Sequence, residues 1–380
     1  MSTAATLNKD SVGETVLLLA FELGHKDWKL GFATGFEDEP RVRTIRAGNL
    51  GALIGQIAAA KKHFKVPLSS PVVSCYEAGR EGFWLHRFLD SKGIVNLVVD
   101  SSSIEVNRRK RRAKTDRLDT GGLLRLLIRQ RLGDAKAFSV VRVPSIEDED
   151  ARSLHRELQT LKKERTRSTN RIKGLLVGQG LRLDQIRQDF LGWMQAARLW
   201  DGSPLPKGVR SRIEREYGRR QVIHQQILSL RAQRCQAIRN DEGAAIDQIR
   251  KLSGLRSIGE GSAWLLVMEF FGWRKFANGR QVGALSGFAP TPYQSGQDHR
   301  EQGISKAGNR HVRGRAVELA WAWLRYQPDS ELTRWYLRRF ARGGPRARKI
   351  GIVALARKIL IALWRYLEFD ELPKGATLKG

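Results

Sequence analysis

The sequence predicts an α/β domain followed by an all-α remainder. Two observations carry that expectation. Over the first 130 residues, short apolar runs alternate with stretches of helical period, and Gly or Pro marks the turns between them. From Leu154 onward the apolar residues recur at helical spacing instead. A chain of 380 residues is long enough for two or three domains, each with its own core.

Residues 16–21 are a continuous apolar run, the pattern of a strand buried on both faces. Residues 28–34 and 42–47 are two further strands, with Gly24, Gly35 and Pro40 at the turns, which predicts an antiparallel three-strand meander. Asn49 then caps a helix to about Phe64, with Leu50, Leu53, Ile54, Ile57 and Ala58 along one face. Residues 72–76 are a fourth strand. Residues 81–91 are a helix with Phe83, Leu85, Phe88 and Leu89 inward, and 94–99 are a fifth strand. A basic stretch leads to a helix from Arg117 to about Gln130. Three strands, helix, strand, helix, strand, helix is the order of a ribonuclease-H-like fold, a mixed sheet with helices on its faces. This domain is expected to span 12–150.

Residues 151–250 read as a pair of long helices. Leu154, Leu158, Leu161, Ile172 and Leu175 keep step with a heptad whose middle turns are polar. A second helix, from about Val209 to Arg239, carries Ile213, Tyr217, Ile223, Ile227 and Leu230, and Pro204 and Pro206 precede it. The pattern predicts an antiparallel hairpin or coiled coil. It serves either as a dimerisation arm or as a pair packed on its own domain, and arginines at core-like positions such as Arg165 weaken a dry seam.

Residues 251–370 form a third, helical and basic domain. Leu255-Arg-Ser-Ile-Gly-Glu-Gly261, followed by an apolar helix over 262–270, resembles the hairpin of a helix–hairpin–helix module. There, glycines let backbone N–H groups approach a phosphate; the plainer reading is a glycine turn between helices. Residues 334–365 interleave Trp335, Tyr336, Phe340 and Trp364 with basic residues, as in a core-packed helix pair with a basic outer face.

The chain carries 68 Lys+Arg against 39 Asp+Glu, a formal net charge of +29. Such an excess destabilises a free protein by self-repulsion, so a polyanionic partner is the simplest explanation. A membrane surface competes on charge alone, but no apolar run is long enough to span a bilayer. The polar opening, residues 1–10, is unlike a signal peptide. Cys75 and Cys235 are too few for a disulfide framework or a zinc knuckle and fit a reducing cytoplasm. Ribosomal-type aspecific binding fits the charge but not 10 Trp and a large apolar core.

Metal-assisted phosphodiester chemistry needs several carboxylates converging on one or two Mg²⁺ ions, which bind the attacking and leaving oxygens. In a ribonuclease-H-like sheet the places to inspect are the first strand, the end of the fourth and the last helix. Glu22 ends the first run, Glu77 ends the fourth strand, and Asp116 and Asp119 open the helix on one face. Each acid alone has a plainer reading, as a solvated strand end, an N-cap or a neighbour of the positive helix end. Their joint occurrence at three expected places favours metal binding. Asp27 and Asp100 are rivals. The run Arg108, Arg109, Lys110, Arg111, Arg112, with Lys114 and Arg117, lies against Asp116 and Asp119 and suits a phosphate backbone over metal.

At Lys114-Thr-Asp-Arg-Leu-Asp119, with Tyr76-Glu-Ala-Gly79 upstream and Tyr293-Gln-Ser-Gly296 before Gly303-Ile-Ser-Lys-Ala-Gly-Asn309, the sequence resembles transposases of the insertion-sequence one-ten family. Gly82-Phe-Trp-Leu-His86 and Val98-Val-Asp-Ser-Ser-Ser103 resemble its eleven-eleven branch. The resemblance covers nearly the whole chain. It implies a RuvC-like N-terminal domain with a DEDD metal site, here Glu22, Glu77, Asp116 and Asp119, loaded with Mg²⁺ or Mn²⁺. The first position departs from the family's Asp by one methylene. The resemblance also implies a serine nucleophile in the C-terminal domain, matching Ser295, and a structured non-coding bridge RNA whose loops pair with target and donor DNA. The implied assembly is a dimer that pairs into a tetramer, with one protomer's RuvC-like site completed by another's serine domain.

Read from its residues alone, Ser295 lies in a turn-rich loop, 290–296, followed by Arg300, Lys306, Arg310 and Arg313, which suit a scissile phosphate. His299 and His311 are not assigned as bases. The expected function is therefore a bacterial, cytoplasmic recombinase that cuts and rejoins DNA through a phosphoserine. Two alternatives stay open: a RuvC-like junction nuclease that hydrolyses with water, and a non-catalytic nucleic-acid-binding protein.

Overall fold

The computed structural model describes residues 15–104, 116–295 and 298–379. The chain divides into two compact units, Met1–Val143 and Pro144–Gly380.

The first unit is built on β1 (Leu17–Leu23), β2 (Asp27–Ala33), β3 (Arg41–Arg46), α1 (Leu50–His63), β4 (Val72–Glu77), α2 (Trp84–Ser91), β5 (Val95–Val99) and α3 (Asp116–Arg131). The sheet order is β3-β2-β1-β4-β5. The meander β1–β2–β3 is antiparallel, and β1, β4 and β5 run parallel. This is the mixed sheet that the element order predicts.

The unbroken apolar run of β1 has a direct cause, since both its faces are covered. Leu17, Leu19 and Phe21 pack with Leu53, Ile57, Leu85 and Leu89 of α1 and α2. Val16, Leu18 and Ala20 pack with Leu123, Leu124, Leu127 and Ile128 of α3.

Two details differ from the sequence expectation. Asn49 does cap α1, accepting from the Ala52 N–H, but the inward stripe is Leu53, Ile57 and Ala60. Ile54 and Ala58 are exposed. A flat sheet takes one stripe of a helix, and residues 54 and 58 belong to the next. Helix α2 begins at Trp84, not at residue 81, because Gly82 adopts φ +69°, outside the helical region.

The second unit opens with α4 (Ile146–Asp150), which Ser145 starts through a capping box with Asp148. Helices α5 (Ser153–Val177) and α7 (Lys207–Asn240) form the expected antiparallel hairpin, with α6 (Phe190–Ala196) between them. Ile172 and Leu176 meet Ile213 and Tyr217, while Leu158 and Leu161 meet Ile227. Between these patches the seam is polar. Arg165 meets His224, the Ser168 hydroxyl donates to the Glu216 carbonyl, and Arg220 donates to Thr169.

The rest is α8 (Ala244–Ser253), α9 (Glu260–Leu266), a π-helical turn (Val267–Phe271), α10 (Gly279–Leu285), β6 (Pro290–Ser295), β7 (Asp298–Ile304), α11 (Arg310–Tyr326), α12 (Glu331–Phe340) and α13 (Pro345–Phe369). Buried Ile352, Leu355, Ala356, Ile359, Leu360 and Leu363 make α13 the spine of this core. Gly279 and Gly283, one turn apart, let α10 lie directly on Ile361 and Arg357 of α13.

Two expectations are corrected here. The helix over 262–270 leaves the α form after Leu266, and all five residues of the wider turn that follows are buried. The segment 290–296 is not a loop, because its residues through Ser295 form a strand paired with β7. Pro290 and Pro292 hide that strand in the sequence. In a two-stranded ribbon both strands are edges, where a residue lacking N–H is tolerated, and a register shift accommodates the pair.

Candidate active site

Glu22 and Glu77 occupy equivalent places on neighbouring strands. The parallel register ends at Phe21 opposite Tyr76, and each glutamate is the next residue. Strand alternation puts both on the face that carries Leu18, Ala20, Val73 and Cys75, the face that α3 covers. Glu77 is exposed. Glu22 stands directly across from Lys29 in the antiparallel register.

Helix α3 packs on the same face of the sheet. Thr120 is fully buried and sits over Gly31, which pairs with Ala20, two residues before Glu22. A Cβ on Gly31 would stand 2.8 Å from the Thr120 methyl, so the close seat of this helix requires glycine there. Asp116 and Asp119 occupy the first turn of α3, just ahead of Thr120. Their side chains, that of Arg117, and residues 108–112 and 114 lie outside the described set.

Glu22 and Glu77 thus share one end of one face of the sheet, and the helix that opens with Asp116 and Asp119 packs on that face. Of the rivals, Asp27 is the exposed first residue of β2, and Asp100 follows Val99, the partner of Glu77 in β5. By alternation Asp100 leans to the opposite face. Among the described residues no group of three His, Cys, Asp or Glu side chains forms a metal cluster. The oxygen donors of Glu22 and Glu77 suit a hard divalent cation, whereas Cys75, buried with its thiol pushed up by burial, is inert.

In the second unit Ser295 is the last residue of β6, opposite Asp298 across the hairpin tip. The side chains of Ser295, His299 and Arg300 lie outside the described set. The other expected phosphate contacts follow the hairpin. Arg313 folds back, donating to the Lys306 carbonyl, and Arg310 opens α11. His311 binds Gln159 of α5, and burial pushes its pKa below the usual histidine value. The imidazole is thus already engaged within the second unit.

A further acid, not singled out by its sequence context, organises the second unit. Glu269, in the π-helical turn, is completely buried. It accepts from His155 Nε2, from Arg156 Nε and Nη2, and from Asn309 Nδ2. Burial alone would raise its pKa, but these hydrogen bonds and the Arg156 charge override burial and hold the carboxyl well below the usual range. The Oδ1 of Asn309 also caps α11, accepting from the N–H groups of His311 and Val312. Glu269 therefore ties α5 to the turn that carries β7 into α11. Its signal was a single acid inside the apolar run 265–271.

Comparison with known proteins bears on the whole chain. The family model described as Transposase IS116/IS110/IS902 family matches residues 249–334. The protein named "Putative transposase y4rJ" of Sinorhizobium fredii is 36% identical over 375 residues, 96% of this chain and 94% of that protein. "Probable family 20 transposase" of Pseudomonas aeruginosa is 27% identical over 230 residues, 60% and 66% of the two chains. "Transposase for insertion sequence element IS1328" of Yersinia enterocolitica is 26% identical over 196 residues, 50% and 56%. The near-complete match to the first of these, together with the family model, shows that the chain belongs to the IS116/IS110/IS902 family of transposases.

Proposed function

We propose that this transposase cuts and rejoins DNA with a metal-binding carboxylate site at Glu22, Glu77, Asp116 and Asp119 and with Ser295 as nucleophile. The observation that carries the first half is the placement of Glu22 and Glu77 at equivalent ends of adjacent parallel strands, on the face that α3 covers. A divalent cation, Mg²⁺ or Mn²⁺, would supply charge neutralisation at the phosphate oxygens. The carboxylates hold that charge in place, and the exposure of Glu77 leaves room for a nucleic-acid strand.

The second half rests on Ser295 standing at a hairpin tip, ahead of Lys306, Arg310 and Arg313, which orient a phosphate. In the proposed step Ser295 Oγ bonds to phosphorus, the P–O3′ bond breaks, and the 3′ oxygen leaves as a hydroxyl. The serine proton passes to a base or to solvent. A 3′-hydroxyl of the partner strand then displaces Oγ, so the energy of the phosphodiester is conserved. The large positive charge suits a structured guide RNA alongside target and donor DNA, with base pairing supplying sequence recognition.

The first half is tested by Asp116→Ala, assayed with Mg²⁺, labelled donor and target DNA and the RNA that copurifies with the chain. Cleavage is expected to stop while the melting temperature and RNA binding hold. Retained cleavage would show that the acids are structural.

A further inference from the structure

Five basic side chains converge where α5, α7 and the second turn of α11 meet. Lys162 and Arg165 lie three apart on α5, and Arg231 and Arg234 lie three apart on α7, so each pair shares a helix face. Both pairs flank the apolar patch of Leu158, Leu161 and Ile227. Arg315 joins them from α11. Partial burial of Lys162 pushes its ammonium below the usual lysine value, and the charges of Arg231, Arg234, Arg315 and Arg165, which all bear on it, add to that.

The cluster has little internal compensation. Among the described residues, the side chains of Lys162, Arg231 and Arg234 make no hydrogen bond or ion pair. The Nε atoms of Arg234 and Arg315 are buried without an acceptor. Two acids stand near. Glu318 pairs with Arg315, and Glu260, which faces Arg234, accepts from the Cys235 thiol. Among the described residues these two acids face five cations, an excess of +3. The Arg234 guanidinium also rests against Gly261, where a Cβ would come within 3.1 Å of Nη1, which places the first turn of α9 beside the cluster. A shallow depression lined by Lys162, Lys163, Thr166, Arg167 and Asn170 continues from it along α5.

Like charges held together in partial burial destabilise a free protein, and orphaned guanidinium N–H groups add to that penalty. Planar guanidinium forks and an ammonium are the groups that bind phosphate oxygens. We propose that Lys162, Arg165, Arg231, Arg234 and Arg315 form a binding site for the phosphodiester backbone of a nucleic acid, separate from the carboxylates and from Ser295. The proposal rests on reading the chain as a nucleic-acid enzyme but needs no cleavage, so binding measured in EDTA separates its failure from failure of the active-site reading.

The test is the salt dependence of binding by the full chain carrying Lys162→Gln, Arg231→Gln and Arg234→Gln. Two probes are used, a DNA duplex and a structured RNA hairpin. The control carries Arg43→Gln, Lys62→Gln and Lys92→Gln, three exposed cations of the first unit. Each phosphate contact contributes about −0.9 to the slope of log K against log[salt] on duplex DNA and about −0.7 on single strands. The cluster variant is expected to lose roughly 2–3 from the slope on at least one probe, and the probe showing the larger loss names the source of the backbone. The control is expected to lose less than about 1. Relieved of repulsion, the cluster variant is expected to melt at or above the wild-type temperature. Equal slope changes in the two variants, no change in either, or a cluster variant that melts lower would overturn the proposal.

Discussion

In the first unit the candidate acids sit at strand ends and at a helix start, with Glu77 exposed at the end of an interior strand. In the second unit Glu269 is sealed beneath His155, Arg156 and Asn309 with every oxygen engaged. The chemistry of the two carboxylates is the same and their surroundings are opposite. An acid meant to meet a cation and a phosphate must keep its lone pairs available, whereas an acid that organises a fold is surrounded by donors. The same contrast holds for the bases. Arg156 is matched to a buried carboxylate, while among the described residues Lys162, Arg231 and Arg234 make no side-chain hydrogen bond or ion pair.

The comparison predicts opposite outcomes for substitutions of the two kinds. Glu77→Gln is expected to reduce strand cleavage by on the order of 10²–10³ while leaving the melting temperature within about a degree of wild type. A fall in stability with cleavage intact would place Glu77 with the structural acids. Glu269→Ala is expected to destabilise the second unit by about 3 kcal/mol in urea unfolding, because it strands His155 and Arg156 in partial burial. An unchanged midpoint would remove the hub role.

The pH response of Glu269 follows from the direction of its shift. Its folded pKa is depressed, so the stability it contributes is present above the unfolded value, about 4.3, and is lost as pH falls below that. Wild type should therefore lose stability between about pH 4.3 and 2 more steeply than Glu269→Gln does. Parallel acid-unfolding curves would contradict this.

Gly31→Val tests the seat of α3. The added side chain meets Thr120 and should cost about 1–3 kcal/mol while lowering cleavage through displacement of the turn that carries Asp116 and Asp119. Asn309→Ala, which removes a helix cap and one donor to Glu269, should cost about 1 kcal/mol. Thermal melting ranks the two, and a larger loss for Asn309→Ala would reverse the assignment of which contact matters more.

What the sequence made legible follows from range. Strand β1 could be read because burial on both faces leaves an unbroken apolar run, and the position of Glu22 and Glu77 followed from the element order. The hairpin α5–α7 was readable because helical period persists over many residues. Strand β6 was not, since Pro290 and Pro292 imitate a loop, and the pairing that tolerates them lies in β7. On α1 the sequence marks Leu53 and Ile57 as inward but also Ile54 and Ala58, which are apolar yet exposed. The Glu269 network joins residues 155, 269 and 309, a separation that no local pattern encodes.

The most direct test of the account is the covalent protein–DNA link. Full-length protein, Mg²⁺, copurified RNA and labelled DNA would be incubated, denatured and resolved on a protein gel, for wild type and for Ser295→Ala. The account predicts a labelled protein band in wild type and none in Ser295→Ala, with nucleic-acid binding equal in both. A labelled band persisting in Ser295→Ala, or cleavage in wild type with no protein–DNA band, would contradict it.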